Sequence, residues 1–147
     1  SYGIKILILR LFNVYGPGQD LKNLNQGMLS IYLAQLINSN KIEVTGTKNR
    51  YRDFIYIDDV LNALVINPKE KIEIFNVGTG KKSTVSEIIK LLVLGLKKNM
   101  NEIKINYSKN KSFDVFGSVA NITKIQNRGW RPKNSLKIGI SKVLKSL

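Results

Sequence analysis

The sequence contains no cysteine and no histidine, and it has only three prolines and one tryptophan. Without Cys there is neither a disulfide framework nor a thiolate nucleophile. Without His as well, an ordinary zinc site and an imidazole base are excluded. Any metal would have to be held by carboxylates alone, and Asp and Glu together number only 10; no metal site is expected. Long hydrophobic runs are missing too. The longest, such as Ile6-Leu-Ile-Leu9 and Leu91-Leu-Val-Leu94, fall far short of the roughly 20 residues that span a bilayer, and no charged-then-apolar leader precedes them. These absences point to a cytoplasmic protein with no membrane contact. Ser1 stands where an initiator Met is usual, directly before an apolar strand, which suggests a fragment.

Base is in large excess: 24 Lys and Arg against 10 Asp and Glu give a net charge of +14 over 147 residues. Clustered cations would imply a polyphosphate partner. Here they are spread singly, apart from Lys81-Lys82 and Lys97-Lys98, and 19 of the 24 are Lys. A solvated surface therefore comes first, an anionic small ligand second, and a nucleic acid last.

Hydrophobic patterning alternates between strand and helix periods. Ile4 to Phe12 is a near-continuous apolar run, the pattern of a strand buried on both faces of a parallel sheet. Met28 to Asn38 carries Leu29, Leu33, Leu36 and Ile37 at helical spacing, and Ile42 to Val44 is a short strand. Arg52 to Ile57 is a strand whose following acids, Asp58 and Asp59, can cap a helix over Val60 to Val65. Glu73 to Val77 is a strand, and Thr84 with Glu87 forms a capping box for a helix striped by Val85, Ile88, Ile89, Leu92 and Leu96. A strand at Ile103 to Tyr107, a short helix near Ile122 to Asn127 closed by Gly129, and a last helix striped by Leu136, Ile140, Val143, Leu144 and Leu147 complete an α/β chain.

In such a fold ligands bind beyond the carboxyl ends of the strands, where Asn13 to Gln19 and Gly78 to Ser83 form loops. The second loop has the look of a phosphate cradle, but its glycines are separated by Thr79 alone and match neither the Walker spacing nor the three-glycine dinucleotide fingerprint. A tight strand-to-helix turn is the preferred reading. The stretch Arg50 to Asp59 (RYRDFIYIDD) is the most distinctive. Arg52 could fork onto a phosphate or carboxylate, whereas structural roles are favoured for Asp53, pairing with a basic neighbour, and for Asp58 and Asp59.

Five segments in order, Arg10-Leu-Phe-Asn-Val-Tyr-Gly-Pro-Gly-Gln19, Gly27-Met-Leu-Ser30, Arg52-Asp-Phe-Ile-Tyr-Ile-Asp-Asp-Val60, Phe75-Asn-Val-Gly-Thr-Gly80 and Gly129-Trp-Arg-Pro132, resemble the NAD-dependent epimerase/dehydratase family, the extended short-chain dehydrogenases, most closely its UDP-glucose 4-epimerase-like nucleotide-sugar enzymes. The resemblance covers essentially residues 1–147. It implies the carboxyl-terminal part of a Rossmann-type enzyme: the last parallel strands, near 4–12 and 53–57, plus the small α/β substrate-binding region. The amino-terminal NAD-binding half is absent from this sequence. The family's acid/base pair, Tyr-x-x-x-Lys, is expected upstream of Ser1, since Ile55 and Val60 stand four residues after Tyr51 and Tyr56. No catalytic residue is therefore expected here, and the fragment is expected to be inactive alone.

The resemblance also implies binding roles. Phe12 matches the aromatic residue beside the nicotinamide of NAD, and Asn13 the side chain that holds the sugar-nucleotide phosphates. Met28 and Leu29 match the nucleotide contact at the start of the substrate-domain helix, and Glu43 and Thr45 the residues that bracket uracil, largely through backbone. Arg52 matches the diphosphate clamp and Asp114 a ribose-binding carboxylate. Lys111 stands where a second diphosphate arginine is usual, keeping the charge without the bidentate fork. The implied partner is a nucleotide sugar, with no nucleic acid and no membrane, and a homodimer is implied for the full-length enzyme. The implied chemistry is transient oxidation at sugar C4 by NAD, followed by epimerisation or dehydration. The competing reading is a basic non-enzymatic α/β module that binds an anionic partner or nucleic acid.

Overall fold

The structure is a computed structural model that describes residues 3–23, 26–109 and 115–147. Strands β1 (Ile6–Leu11) and β2 (Asn13–Tyr15) precede α1 (Met28–Asn38) and β3 (Lys41–Thr45). Next come β4 (Tyr51–Arg52), β5 (Phe54–Tyr56), α2 (Ile57–Leu64), β6 (Ile72–Val77), β7 (Ser83–Thr84) and α3 (Val85–Gly95). A 3-10 turn at Met100–Glu102 leads to β8 (Lys104–Ser108), α4 (Thr123–Gln126) and α5 (Leu136–Lys145).

Three ladders are parallel, β1 with β6, β2 with β5 and β3 with β8, and a short antiparallel pair joins β4 to β7. Two cores result. The first packs α1, α3 and α5 around β2, β3 and β5, with Leu36, Ile42, Ile88, Ile89 and Leu92 fully buried; each such side chain contributes roughly 1.5–3 kcal/mol of apolar burial. The second lies between β5, β6, α2 and α4 and is centred on Ile55, Phe75, Val77, Ile125 and Trp130. Alternation decides which core a side chain enters: Phe54 and Tyr56 belong to the first and Ile55 to the second.

Helix α1 occupies the residues its apolar spacing predicts, and Thr84 Oγ1 accepts from the Glu87 N–H at 3.2 Å as the capping box requires. Gly129, at φ +84°, closes the α4 turn by donating to the Gln126 carbonyl, a left-handed conformation that costs glycine nothing. Two expectations need correcting. Strand β1 is covered on one face only: Leu7 and Leu9 pack on the second core, while Ile6, Ile8 and, on its ladder partner, Ile72 stand 46%, 41% and 51% exposed. These exposures leave that outer face uncovered by any described element. Nor do Asp58 and Asp59 cap α2. The cap position is Tyr56 and no side chain caps it; the acids lie inside the first turn, where they favour the helix dipole.

Strand β6 carries a carboxylate into the interior. Glu73, 5% exposed, is paired with Arg128, whose Nη2 also donates to the Asn67 carbonyl at 2.8 Å, and it accepts the Lys69 N–H at 2.7 Å. The Arg128 hydrogen bond first, then that of Lys69, holds the Glu73 carboxyl below its ordinary 4.5. A depressed carboxyl stabilises the fold above its unfolded pKa, and the contribution is lost as pH falls through the folded value. Melting curves from pH 7 to 3 should therefore show wild type losing more stability below about pH 4.5 than Glu73→Gln; parallel curves would contradict the pairing.

Candidate functional site

The site is organised by one buried acid. Asp53, fully buried between β4 and β5, cannot sit in an apolar strand without donors. Its carboxylate accepts the Thr79 N–H at 2.8 Å, the Thr79 hydroxyl at 2.5 Å, the Gly80 N–H at 2.9 Å and the Ala120 N–H at 3.1 Å. The partners are backbone and hydroxyl donors, so the expected pairing with a basic neighbour is not what holds it. The same bonds answer the phosphate-cradle question. The N–H groups of the Gly78-to-Gly80 turn that would meet a phosphate are already bound by Asp53, and Gly78 is pressed so closely that a Cβ would lie 2.6 Å from Asp53 Oδ2.

Asn13 and Arg52 flank this acid. At the start of β2, the Asn13 N–H and Nδ2 both donate to the Asp53 carbonyl, at 3.1 and 3.0 Å. One N–H of the amide is thereby fixed and the second faces elsewhere. Arg52 Nη1 donates to the carbonyls of Tyr51 at 2.8 Å and Phe116 at 3.3 Å. The segment that returns to Arg52 is anchored: the Tyr51 N–H donates to the Phe116 carbonyl, the two rings meet edge to face at 5.8 Å, and Gly117 lies flat on the Tyr51 ring. Lys111 and Asp114, a few residues before this segment, lie outside the described residues. Phe12, joining β1 to β2, is half-buried on the second core and donates its N–H to the Val77 carbonyl at 3.0 Å.

Glu43 and Thr45 form a second group on the exposed side of β3. The Glu43 N–H is taken by Gln35 Oε1 at 3.0 Å and its carboxylate by Asn106 Nδ2 at 2.7 Å, while the Thr45 carbonyl accepts from Arg50 at 2.5 Å. That last bond ties the end of β3 to the β4 entry, two residues from Arg52. Because α1 and β3 are consecutive, antiparallel in direction and both about 16 Å long, the start of α1 lies level with the end of β3. Met28 there is half-buried, whereas the Leu29 side chain is 2% exposed; only its backbone could meet a ligand.

One role was not foreseen. Asp59 is a tether: its carboxylate accepts the N–H groups of Lys133 and Asn134 at 2.9 and 3.0 Å, and its carbonyl accepts the Trp130 indole N–H at 3.1 Å. Tyr107 and Lys111 do carry the Tyr-x-x-x-Lys spacing. Tyr107 lies in β8, and Lys111 lies outside the described residues. Burial first, then Asp59 and Tyr56, push the Tyr15 phenol upward. Among the described residues no group of three acidic side chains could hold a metal, and no helix is long and apolar enough to cross a membrane.

The parallel ladders, with Arg52 and Asn13 beside one buried acid, define an α/β fold. The model of the NAD-dependent epimerase/dehydratase family matches residues 1–78, and the chain belongs to that family. A putative UDP-glucose 4-epimerase of Methanocaldococcus jannaschii is 34% identical over 97% of this chain and 46% of its own length. A dTDP-4-dehydro-6-deoxyglucose reductase of Escherichia coli is 30% identical over 97% of this chain and 45% of its own. Among solved structures, the UDP-glucose 4-epimerase of Thermotoga maritima with UDP-glucose superposes with a TM-score of 0.86 at 31% identity, covering 99% of this chain and 47% of that one. The Thermus thermophilus UDP-glucose 4-epimerase complex with NAD gives 0.83 at 27%, covering 99% and 47%. The chain thus spans about half the length of the relatives it matches, and their Rossmann-type α/β fold is the fold class seen here.

Proposed function

We propose that this chain is the nucleotide-sugar-binding portion of an NAD-dependent epimerase or dehydratase, of the UDP-sugar 4-epimerase type, with β1 and β5 continuing a nucleotide-binding sheet. The observation that carries the reading is the Asp53 junction, whose carbonyl holds both Asn13 donors one residue along the chain from Arg52, while Arg52 is itself held on the Tyr51 and Phe116 carbonyls. Arg52 supplies a planar fork suited to a diphosphate, and the unused Asn13 N–H a second donor. Glu43 and Thr45 would flank the base with the backbone groups not taken by Gln35 and Arg50, and with the Thr45 hydroxyl. Lys111 and Asp114 would complete the diphosphate and ribose contacts.

NAD supplies hydride exchange at the sugar carbon in the whole enzyme. The described residues do not by themselves fit it. Phe12 alone is assigned to the nicotinamide, no three-glycine fingerprint is present in the sequence, and the Gly78-to-Gly80 turn is filled by Asp53. The chain by itself is proposed to be inactive and to exist as one part of a soluble nucleotide-sugar enzyme.

The test is an amide-resolved NMR titration of the 147-residue chain with UDP. Weak binding should shift Asn13, Thr45 and Arg52, and Arg52→Ala should weaken it by about tenfold or more, the worth of a charge-assisted pair. Shifts indifferent to that substitution would remove Arg52 from the site, and turnover of UDP-glucose by this chain alone would overturn the inactivity.

A further inference from the structure

A cavity of about 490 Å³ opens between the Lys81-to-Ser83 turn, the flank of α3 and the segment from Pro132 into α5. None of Phe12, Asn13, Met28, Leu29, Glu43, Thr45 or Arg52 lines it. Its volume falls within the 300–1,000 Å³ range of small-molecule sites. We propose that this cavity is a second ligand site, one that takes the phosphate group of a small organic phosphate.

The donors converge and acceptors are few. Lys81, Lys82, Lys133 and Lys137 line the cavity against one carboxylate, Glu87. The Lys82 ammonium is placed over the Tyr51 ring at 4.6 Å; the other three make no ion pair with a carboxylate among the described residues. Ser83 lines the same space, is 8% exposed, and its hydroxyl has no hydrogen-bond partner among the described residues. The hydroxyl faces the cavity and is free to donate to an acceptor supplied by a ligand.

The two helices that border the cavity differ at their amino ends. That of α3 is closed, because the Val85, Ser86 and Glu87 N–H groups donate to the Arg50 carbonyl, the Lys48 carbonyl and Thr84 Oγ1. In α5, Ser135 Oγ accepts only the Ile138 N–H, which leaves those of Leu136 and Lys137 to the cavity, with no acid in that first turn. Ammonium, hydroxyl and peptide N–H groups all donate, so the group they suit is an acceptor with more than one negative charge. Phe54, Leu91, Pro132 and Leu136 form an apolar wall for the organic part. Asp59 holds the floor in place through Lys133 and Asn134.

Inorganic phosphate is the probe, titrated into the isotope-labelled chain against sodium chloride at matched ionic strength. Phosphate should shift the Ser83, Leu136 and Lys137 amides saturably, and chloride should not. Ser83→Ala should raise the dissociation constant about tenfold, and the exposed Lys137→Gln severalfold with the fold intact. Non-saturating shifts shared with chloride, or saturable binding indifferent to both substitutions, would overturn the proposal. UDP displacing phosphate from these same amides in an Arg52-dependent way would also overturn it, by merging the cavity with the nucleotide site.

Discussion

Asp53→Asn is expected to cost about 3 kcal/mol, a fall in melting temperature of roughly 10 °C for a chain of this size. The carboxylate uses both oxygens to accept from Thr79, Gly80 and Ala120. A carboxamide offers one oxygen and turns an NH2 toward peptide N–H groups, so at least one buried donor loses its partner and two donors face each other. Movement gives no relief. Gly78 has no free space beside Asp53 Oδ2, and the Asp53 carbonyl is held by Asn13 from the other side. Calorimetry measures the loss, and hydrogen exchange locates it: the Thr79, Gly80 and Ala120 amides should lose protection before the β1–β6 ladder does. An unchanged melting temperature with unchanged exchange at these amides would show that the acid is incidental.

Gly139→Ala tests a contact whose sign differs between local and tertiary reasoning. In a helix interior Ala is favoured over Gly by about 1 kcal/mol, so propensity alone anticipates a more stable α5. The structure anticipates the reverse. A Cβ at Gly139 would lie 2.0 Å from the Tyr15 hydroxyl oxygen and 2.7 Å from its ring. Tyr15, 3% exposed, is wedged edge-on against Phe54 at 6.2 Å and Tyr56 at 5.6 Å and cannot retreat without moving the first core. A net loss of about 2 kcal/mol is expected from overpacking. Tyr15→Phe in the same chain should recover part of it, since the hydroxyl makes the closest contact. A double-mutant cycle gives the coupling, and a stabilised Gly139→Ala would mean that α5 slides freely over β2.

Local pattern carried most of the elements. The spacing of Leu29, Leu33 and Leu36 locates α1, and Thr84 marks the start of α3, because both signals are short-range. What distant parts of the chain do to a residue was not legible. Asp58 and Asp59 look alike in sequence, yet Asp59 is buried under the Lys133 and Asn134 amides while Asp58 reaches Lys142 on the surface. Ile6 and Ile8 read as interior because an apolar run looks the same whether or not its outer face is covered. For the site, Asn13 and Arg52 were proposed from ordered motifs, and the structure adds the carbonyls that hold them, that of Asp53 for Asn13 and those of Tyr51 and Phe116 for Arg52. Asp53 could have been found from its residue type alone, as an acid at the entry of an apolar strand. Ser83 gave no signal, because a hydroxyl's lack of partners is a tertiary fact.

The pairing of β1 with β6 has a kinetic consequence. Ile6 lies beside Ile72, Asn13 beside Phe54 and Lys41 beside Lys104, so each parallel ladder closes a long loop before any of its hydrogen bonds can form. Chains dominated by such non-local pairs fold in milliseconds to seconds rather than microseconds. On the ribosome, β1 must wait for β6 and β3 for β8. The ladders therefore become available in order along the chain, β2 with β5 first, then β1 with β6, and β3 stays unpaired until Lys104 and its neighbours have been made.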